Sequence, residues 1–292
     1  MTKRAALITL HGLGQVREDY ADELIEGVQR KLEKDADEFA FRRVYYQREL
    51  QENQSALWQR LVAADRLDYQ ALRRFMLFGF SGVAGLEAAK EEADSSYYES
   101  QLEIARQLLG ARTDTGRAAP PLVVVAHSLG GQVFSNYLYD AQRARRAAAD
   151  ATYASMPVAG VWQDIRAALQ RIDPDLAIDE RLLDYLSGTS VIALITIGCN
   201  IPVFAASHRH MSIKPIERPC AAFEWHNYFD PQDVLGWPLE PLSDEYALLV
   251  RDHCISVGNV LKSWTPLSHS QYWGDRLIVN VAVHQLQRGL TP

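Results

Sequence analysis

Short, continuously apolar runs alternate along this chain with longer segments whose apolar positions recur at helical spacing. Residues 5–10 form the first run, ended by Gly12 and Gly14, and predict a buried strand leading into a tight turn. Over 18–33, Tyr20, Leu24, Ile25, Val28 and Leu32 fall on one side of a predicted helix. Strands follow over 39–46 and 122–126, the latter with three valines in a row behind the stop set by Pro120-Pro121. Helical pattern resumes over 132–149, strands are predicted over 191–197, 221–225 and 250–257, and a closing helix over 275–288. Strands apolar throughout, interleaved with amphipathic helices, predict an α/β fold. Its sheet is mostly parallel, with helices on both faces.

Residues 55–98 break this rhythm. The segment is longer than one crossover helix needs and carries the run Phe75-Met76-Leu77-Phe78-Gly79-Phe80, readable as an extra buried helix or as a cap over a substrate. Residues 199–219 are a second candidate cap. No repeat or low-complexity linker divides the 292 residues, so one domain is expected. At 48% hydrophobic and 23% charged, the chain can bury a sizeable core. Its net charge of -7 argues against nucleic-acid or anionic-membrane partners. No apolar stretch approaches the ~20 residues of a membrane span, and the first run is too short for a signal-peptide core. Cys199, Cys220 and Cys254 lie far apart and offer neither a disulfide framework nor a zinc signature. These features predict a soluble, cytoplasmic protein with no stable membrane insertion.

Candidate chemistry concentrates where the third strand ends, at Ala126-His127-Ser128-Leu129-Gly130-Gly131. A nucleophilic serine that closes a buried strand and turns at once into a helix is forced into a sparsely populated backbone conformation. Small residues two before and two after it relieve the clash, here Ala126 and Gly130. Ser256-Val257-Gly258 repeats the Ser-x-Gly spacing without the strand run or the small residue two before it. A helix N-cap in a βα turn is the plainer alternative for Ser128. The segment resembles the nucleophile elbow of α/β-hydrolase lipases and esterases, with alanine where glycine is usual at the first small position.

That resemblance implies an oxyanion hole. His11-Gly12-Leu13-Gly14 sits between a strand and a helix and is similar to the His-Gly-x-Gly loop of bacterial lipases. The amides of Leu13 and Leu129 would then hold the oxyanion. The chain would begin at what the family counts as its third strand, the usual first strands being absent. A P-loop reading fails because the Gly-Lys-Ser/Thr ending is missing.

The family's order of serine, acid, then histidine sets aside His11 and His127 as the base. Downstream stand His208, His210, His226, His253, His269 and His284. His269 lies in a turn-rich loop before the last helix, and His269-Ser270-Gln271-Tyr272-Trp273 looks like the His-x-x-Tyr-Trp stretch of class 3 lipases. Asp230 and Asp233 both follow the fifth strand. Resemblance to the Asp-x-Val-Pro loop of those lipases favours Asp233 as the acid, with Asp230 the alternative and Asp230-Pro231 a plain turn starter. His208-Arg209-His210 lacks a third ligand at diagnostic spacing, so neither a metal nor a cofactor is expected. The resemblance thus implies a serine esterase or lipase-like hydrolase acting on a small acyl ester or lipid through an acyl-enzyme, with short acyl esters as the expected substrates. A non-catalytic hydrolase-fold protein that binds a lipid or protein partner is the competing expectation.

Overall fold

A computed structural model of the chain describes residues 2–64, 67–93, 95–207, 213–257, 269 and 271–290. In chain order its elements are β1 (Ala5–Leu10), α1 (Asp22–Leu32), β2 (Phe39–Val44), α2 (Arg48–Ala64), α3 (Gln70–Glu87), α4 (Ser96–Thr115), β3 (Leu122–His127) and α5 (Leu129–Ala149). There follow α6 (Ile165–Ile172), α7 (Glu180–Asp184), β4 (Val191–Ile197), α8 (Ile201–Ala205), β5 (Glu224–Phe229), α9 (Asp244–Leu249), β6 (Val250–Cys254) and α10 (Arg276–Arg288). The strands form one six-stranded sheet in the order β2-β1-β3-β4-β5-β6, and every neighbouring pair is parallel. With helices on both faces, the topology is α/β-hydrolase-like. Among the described residues, no helix is long and apolar enough to cross a membrane.

Each central strand sends alternate residues to opposite faces, and both faces are apolar. Ala6, Ile8 and Leu10 of β1, with Leu122, Val124 and Ala126 of β3, pack under α4 and α5. Ala5 and Leu7, with Val123 and Val125, pack under α1 and α10. This two-sided burial is why the runs contain no polar alternation. Burying each β3 valine contributes about 1.5–3 kcal/mol relative to exposure. Between the β3–β4 pairs Leu122↔Val191 and Val123↔Ala193 one residue, Ile192, is extra, a bulge that increases local twist. The parallel arrangement brings the carboxyl ends of β1, β3, β4 and β5 to one edge of the sheet, where ligands bind in open α/β sheets.

Three expectations need correction. The fifth strand begins at Glu224, not 221, because residues 220–223 make a turn closed by the Phe223 amide on the Cys220 carbonyl (3.1 Å). Its polar centre is tolerated because the buried Asn227 side chain accepts from Thr196 Oγ1 (2.8 Å) and donates to Asp252 Oδ1 (2.7 Å). The last strand ends at Cys254 rather than 257, and the helix after β3 starts at once, at Leu129. Residues 55–98 hold the end of α2, all of α3 and the start of α4. The Phe75–Phe80 run lies in α3 and is neither wholly core nor wholly surface: Phe78 is buried, whereas Met76 and Phe80 are exposed.

Candidate active site

At the end of β3 the backbone reverses into α5 within one residue. Ser128 has φ 53° and ψ −120°. Among the described residues, Glu33, Tyr69 and Ala89 are the other non-glycine residues with positive φ, and all three are exposed. Ser128 is fully buried, and the packing around it holds a conformation that costs of order 1–3 kcal/mol. Its amide donates to the Ile197 carbonyl (2.9 Å), and its own carbonyl accepts from the Gly131 amide (3.0 Å). Ser128 Oγ has no hydrogen-bond partner among the described residues.

The loop after β1 crosses directly over this turn. A Cβ on Gly130 would stand 2.5 Å from the His11 carbonyl oxygen, and one on Gly12 would stand 2.6 Å from Ser128 Cβ. Only glycine fits at either place. His11 is buried with its ring stacked on Tyr46 (centroids 4.0 Å apart), and the Tyr46 hydroxyl donates to the His11 carbonyl (2.8 Å). His11 Nδ1 donates to the Gly12 carbonyl (3.0 Å). Burial lowers the His11 pKa to about 4, so at neutral pH the ring is an uncharged wall of the loop. Leu129 is buried and Leu13 half-buried, both against the core under α5.

Of the two aspartates after β5, one meets an imidazole. Asp233 Oδ2 accepts from His269 Nδ1 (2.7 Å) and from the Tyr272 hydroxyl (3.0 Å), while Oδ1 accepts from the Leu235 amide (3.0 Å). Burial alone would raise this carboxyl. Hydrogen bonding and charge from His269, then the Leu235 and Tyr272 bonds, leave it below its ordinary value. Asp230 instead serves the backbone, accepting from the amides of Gln232 (2.8 Å) and Val257 (2.8 Å). His269 is buried and its Nε2 makes no hydrogen bond among the described residues, so an unpaired ring nitrogen and an unpaired serine hydroxyl share this end of the sheet. His127, next to Ser128, bonds through Nε2 to the His269 carbonyl (2.6 Å) and links the two.

The other histidines lie elsewhere. His226 and His253 bond to each other across β5 and β6 (3.0 Å), with Glu224 on the far side of His226 (3.1 Å). His284 is exposed on α10. His208 and His210, with part of the second candidate cap, fall outside the described residues. Among the described residues, no group of three or more His, Cys, Asp or Glu side chains could hold a metal. Two members of the cluster carry no role in the sequence reading. Tyr272 had a signal, its place three residues after His269, whereas the contact between His127 and a residue 142 positions later had none. No protein-family model matches the chain, and a search of curated proteins finds no relative.

Proposed function

We propose that the protein is a serine hydrolase that cleaves carboxylic esters through an acyl-enzyme. The observation that carries this reading is the buried Asp233–His269 pair (2.7 Å) beside a positive-φ serine at the carboxyl end of a central strand. His269 Nε2 takes the proton from Ser128 Oγ as the oxygen attacks the acyl carbon. Asp233 keeps the proton on Nδ1, so that Nε2 is the free base, and stabilises the imidazolium that forms. The amides of Leu13 and Leu129 receive the oxyanion. His269 returns its proton to the departing alcohol, and a water, activated by the same imidazole, releases the acid and restores Ser128.

The depressed Asp233 carboxyl supports this assignment, because an acid partner must stay ionised while the histidine beside it cycles. Short acyl esters are the expected substrates. The second reading, a non-catalytic hydrolase-fold protein that binds a lipid or protein partner, draws on the complete burial of Ser128.

A fluorophosphonate probe applied to wild type and to Ser128→Ala separates the two. Labelling of wild type alone, with loss of p-nitrophenyl acetate hydrolysis in the variant by more than ~10⁴-fold, is the expected outcome. A folded wild type that takes no label, or a variant that still hydrolyses the ester, overturns the hydrolase reading.

A further inference from the structure

The proposed reaction leaves the buried His127 without a task. The His127 imidazole sits where three segments meet. Its ring centroid is 4.5 Å from that of His269, 5.6 Å from Trp273 and 6.0 Å from Tyr272. On the side of the β1 loop, a Cβ on Gly12 would stand 2.7 Å from His127 Nδ1. The chain itself joins the ring to Ser128. Toward the last loop, Nε2 lies 2.6 Å from the His269 carbonyl oxygen. A carbonyl only accepts, so the proton is on Nε2 and Nδ1 is bare.

His269 is therefore held at two points. Asp233 takes hold of its side chain through Nδ1, and His127 takes hold of its main chain through the carbonyl. The first bond alone lets the ring pivot about the Nδ1···Oδ2 line whenever the backbone shifts. The second fixes the backbone from which the ring's torsions start. A misplacement of about 1 Å at a reacting group costs on the order of 10²-fold in rate, so the second anchor matters for chemistry.

Resting on the reading of His269 as the general base, we infer that His127 is a positioning residue: it pins the His269 backbone so that Nε2 is presented to Ser128 Oγ, and it acts on kcat rather than KM. A ring that served only to fill space would need no donor at Nε2. Burial, with the neighbouring His269 charge added, lowers the His127 pKa to about 3. The ring thus keeps the same tautomer across neutral pH and brings no second positive charge toward His269 when that residue takes up a proton.

Two substitutions test the role. His127→Phe keeps a ring and removes the donor, whereas His127→Gln returns an amide N–H at similar reach. On p-nitrophenyl acetate, His127→Phe is expected to lower kcat by ~10- to 100-fold with KM within about twofold. His127→Gln is expected to recover most of that loss at the same thermal midpoint as His127→Phe. Wild-type kcat in His127→Phe, or equal kcat losses in both variants that track their thermal midpoints, overturns the inference. A readout independent of turnover is the proton resonance of His269 Nδ1–H, recorded in Ser128→Ala protein. It should broaden when His127→Phe is added and sharpen again with His127→Gln, and an unchanged resonance in both overturns the inference. Wild type that is labelled at Ser128, with no effect of His127→Phe, removes the positioning role and leaves the reaction standing. Wild type that takes no label, with the resonance behaving as expected, removes the reaction while the coupling of the two histidines stands.

Discussion

Two buried aspartates, each with a tyrosine hydroxyl on one oxygen, behave in opposite ways in this molecule. Asp140 on α5 accepts from the Tyr97 hydroxyl (2.5 Å), Gln101 Nε2 (2.9 Å) and the Ala159 amide (3.4 Å). Gln101 in turn accepts from the Val161 amide (3.0 Å), so the knot ties α4, α5 and residues 159–161 together. Burial raises the Asp140 carboxyl and its hydrogen bonds only partly offset this, whereas Asp233 is lowered. The difference is the imidazole. The Asp140 knot closes on itself, each donor meeting an acceptor. The Asp233 chain runs through His269 to a nitrogen that, like Ser128 Oγ, has no hydrogen-bond partner among the described residues. A closed hydrogen-bond knot suits a structural role; the proposed reaction needs the open end that the Asp233 chain has.

Replacing each carboxylate in turn breaks the comparison most sharply. Asp233→Asn should drop kcat on p-nitrophenyl acetate by ~10³- to 10⁴-fold, because the amide favours the wrong His269 tautomer, with a smaller change in thermal midpoint. Asp140→Ala should leave kcat per folded molecule unchanged and cost about 2–4 kcal/mol of stability by urea titration, since Tyr97 and Gln101 lose their acceptor. Equal kcat losses in the two variants would erase the distinction.

Acid should separate the same two regions. His11 and His127 are neutral when folded down to pH of about 4 and 3 respectively, but protonate near 6.5 when unfolded. The unfolded chain then binds up to two more protons. Stability present above pH 6.5 falls as pH drops toward those folded values, with a slope up to about 2.7 kcal/mol per pH unit from the pair. Asp233, held low, adds to the loss only further down. Asp140, held high, works the other way, favouring the folded state where it is protonated and losing that as pH rises through its raised value. Urea midpoints between pH 4 and 7 check the slope, and a flat profile would contradict the burial of the two histidines.

The smallest effect sharpens the contrast between the tyrosines. Tyr272→Phe removes one of the donors to Asp233 Oδ2 and the acceptor of the Asp230 amide. It should lower kcat by ~3- to 10-fold, about 1 kcal/mol. Tyr97→Phe should cost a similar amount of stability and no activity. A kcat loss in both would show that the knot also reaches the site.

Much of the fold was legible because burial on two faces writes an unbroken apolar run. β1 and β4 start and stop where their runs do. β5 did not, since Glu224, His226 and Asn227 look like loop residues until their cross-strand partners are known. α4 left no clear stripe because it is buried on several sides, with Tyr97, Gln101, Leu102, Ile104, Ala105 and Leu108 all covered. At the site, the turn around Ser128 was legible because crowded backbone demands small neighbours, as Gly12 and Gly130 show. Asp233 and Asp230 were not separable by residue type. Only the resemblance of the residues after Asp233 favoured it, because which of the two meets an imidazole is decided by a contact 36 positions away.

The all-parallel sheet also bears on how the site comes into being. Parallel neighbours pair only after a crossover has formed between them, so among the described residues the sheet has no quick local hairpins to build on. The contacts that make the site, Gly12 with Ser128 and His269 with His127 and Asp233, span most of the chain. During synthesis Ser128 emerges well before residue 269, so the turn at Ser128 can be complete while His269 is still to come. On the proposed hydrolase reading, reactivity is then among the last properties a folding molecule acquires, and a newly made chain spends its most exposed period before Ser128 and His269 are brought together.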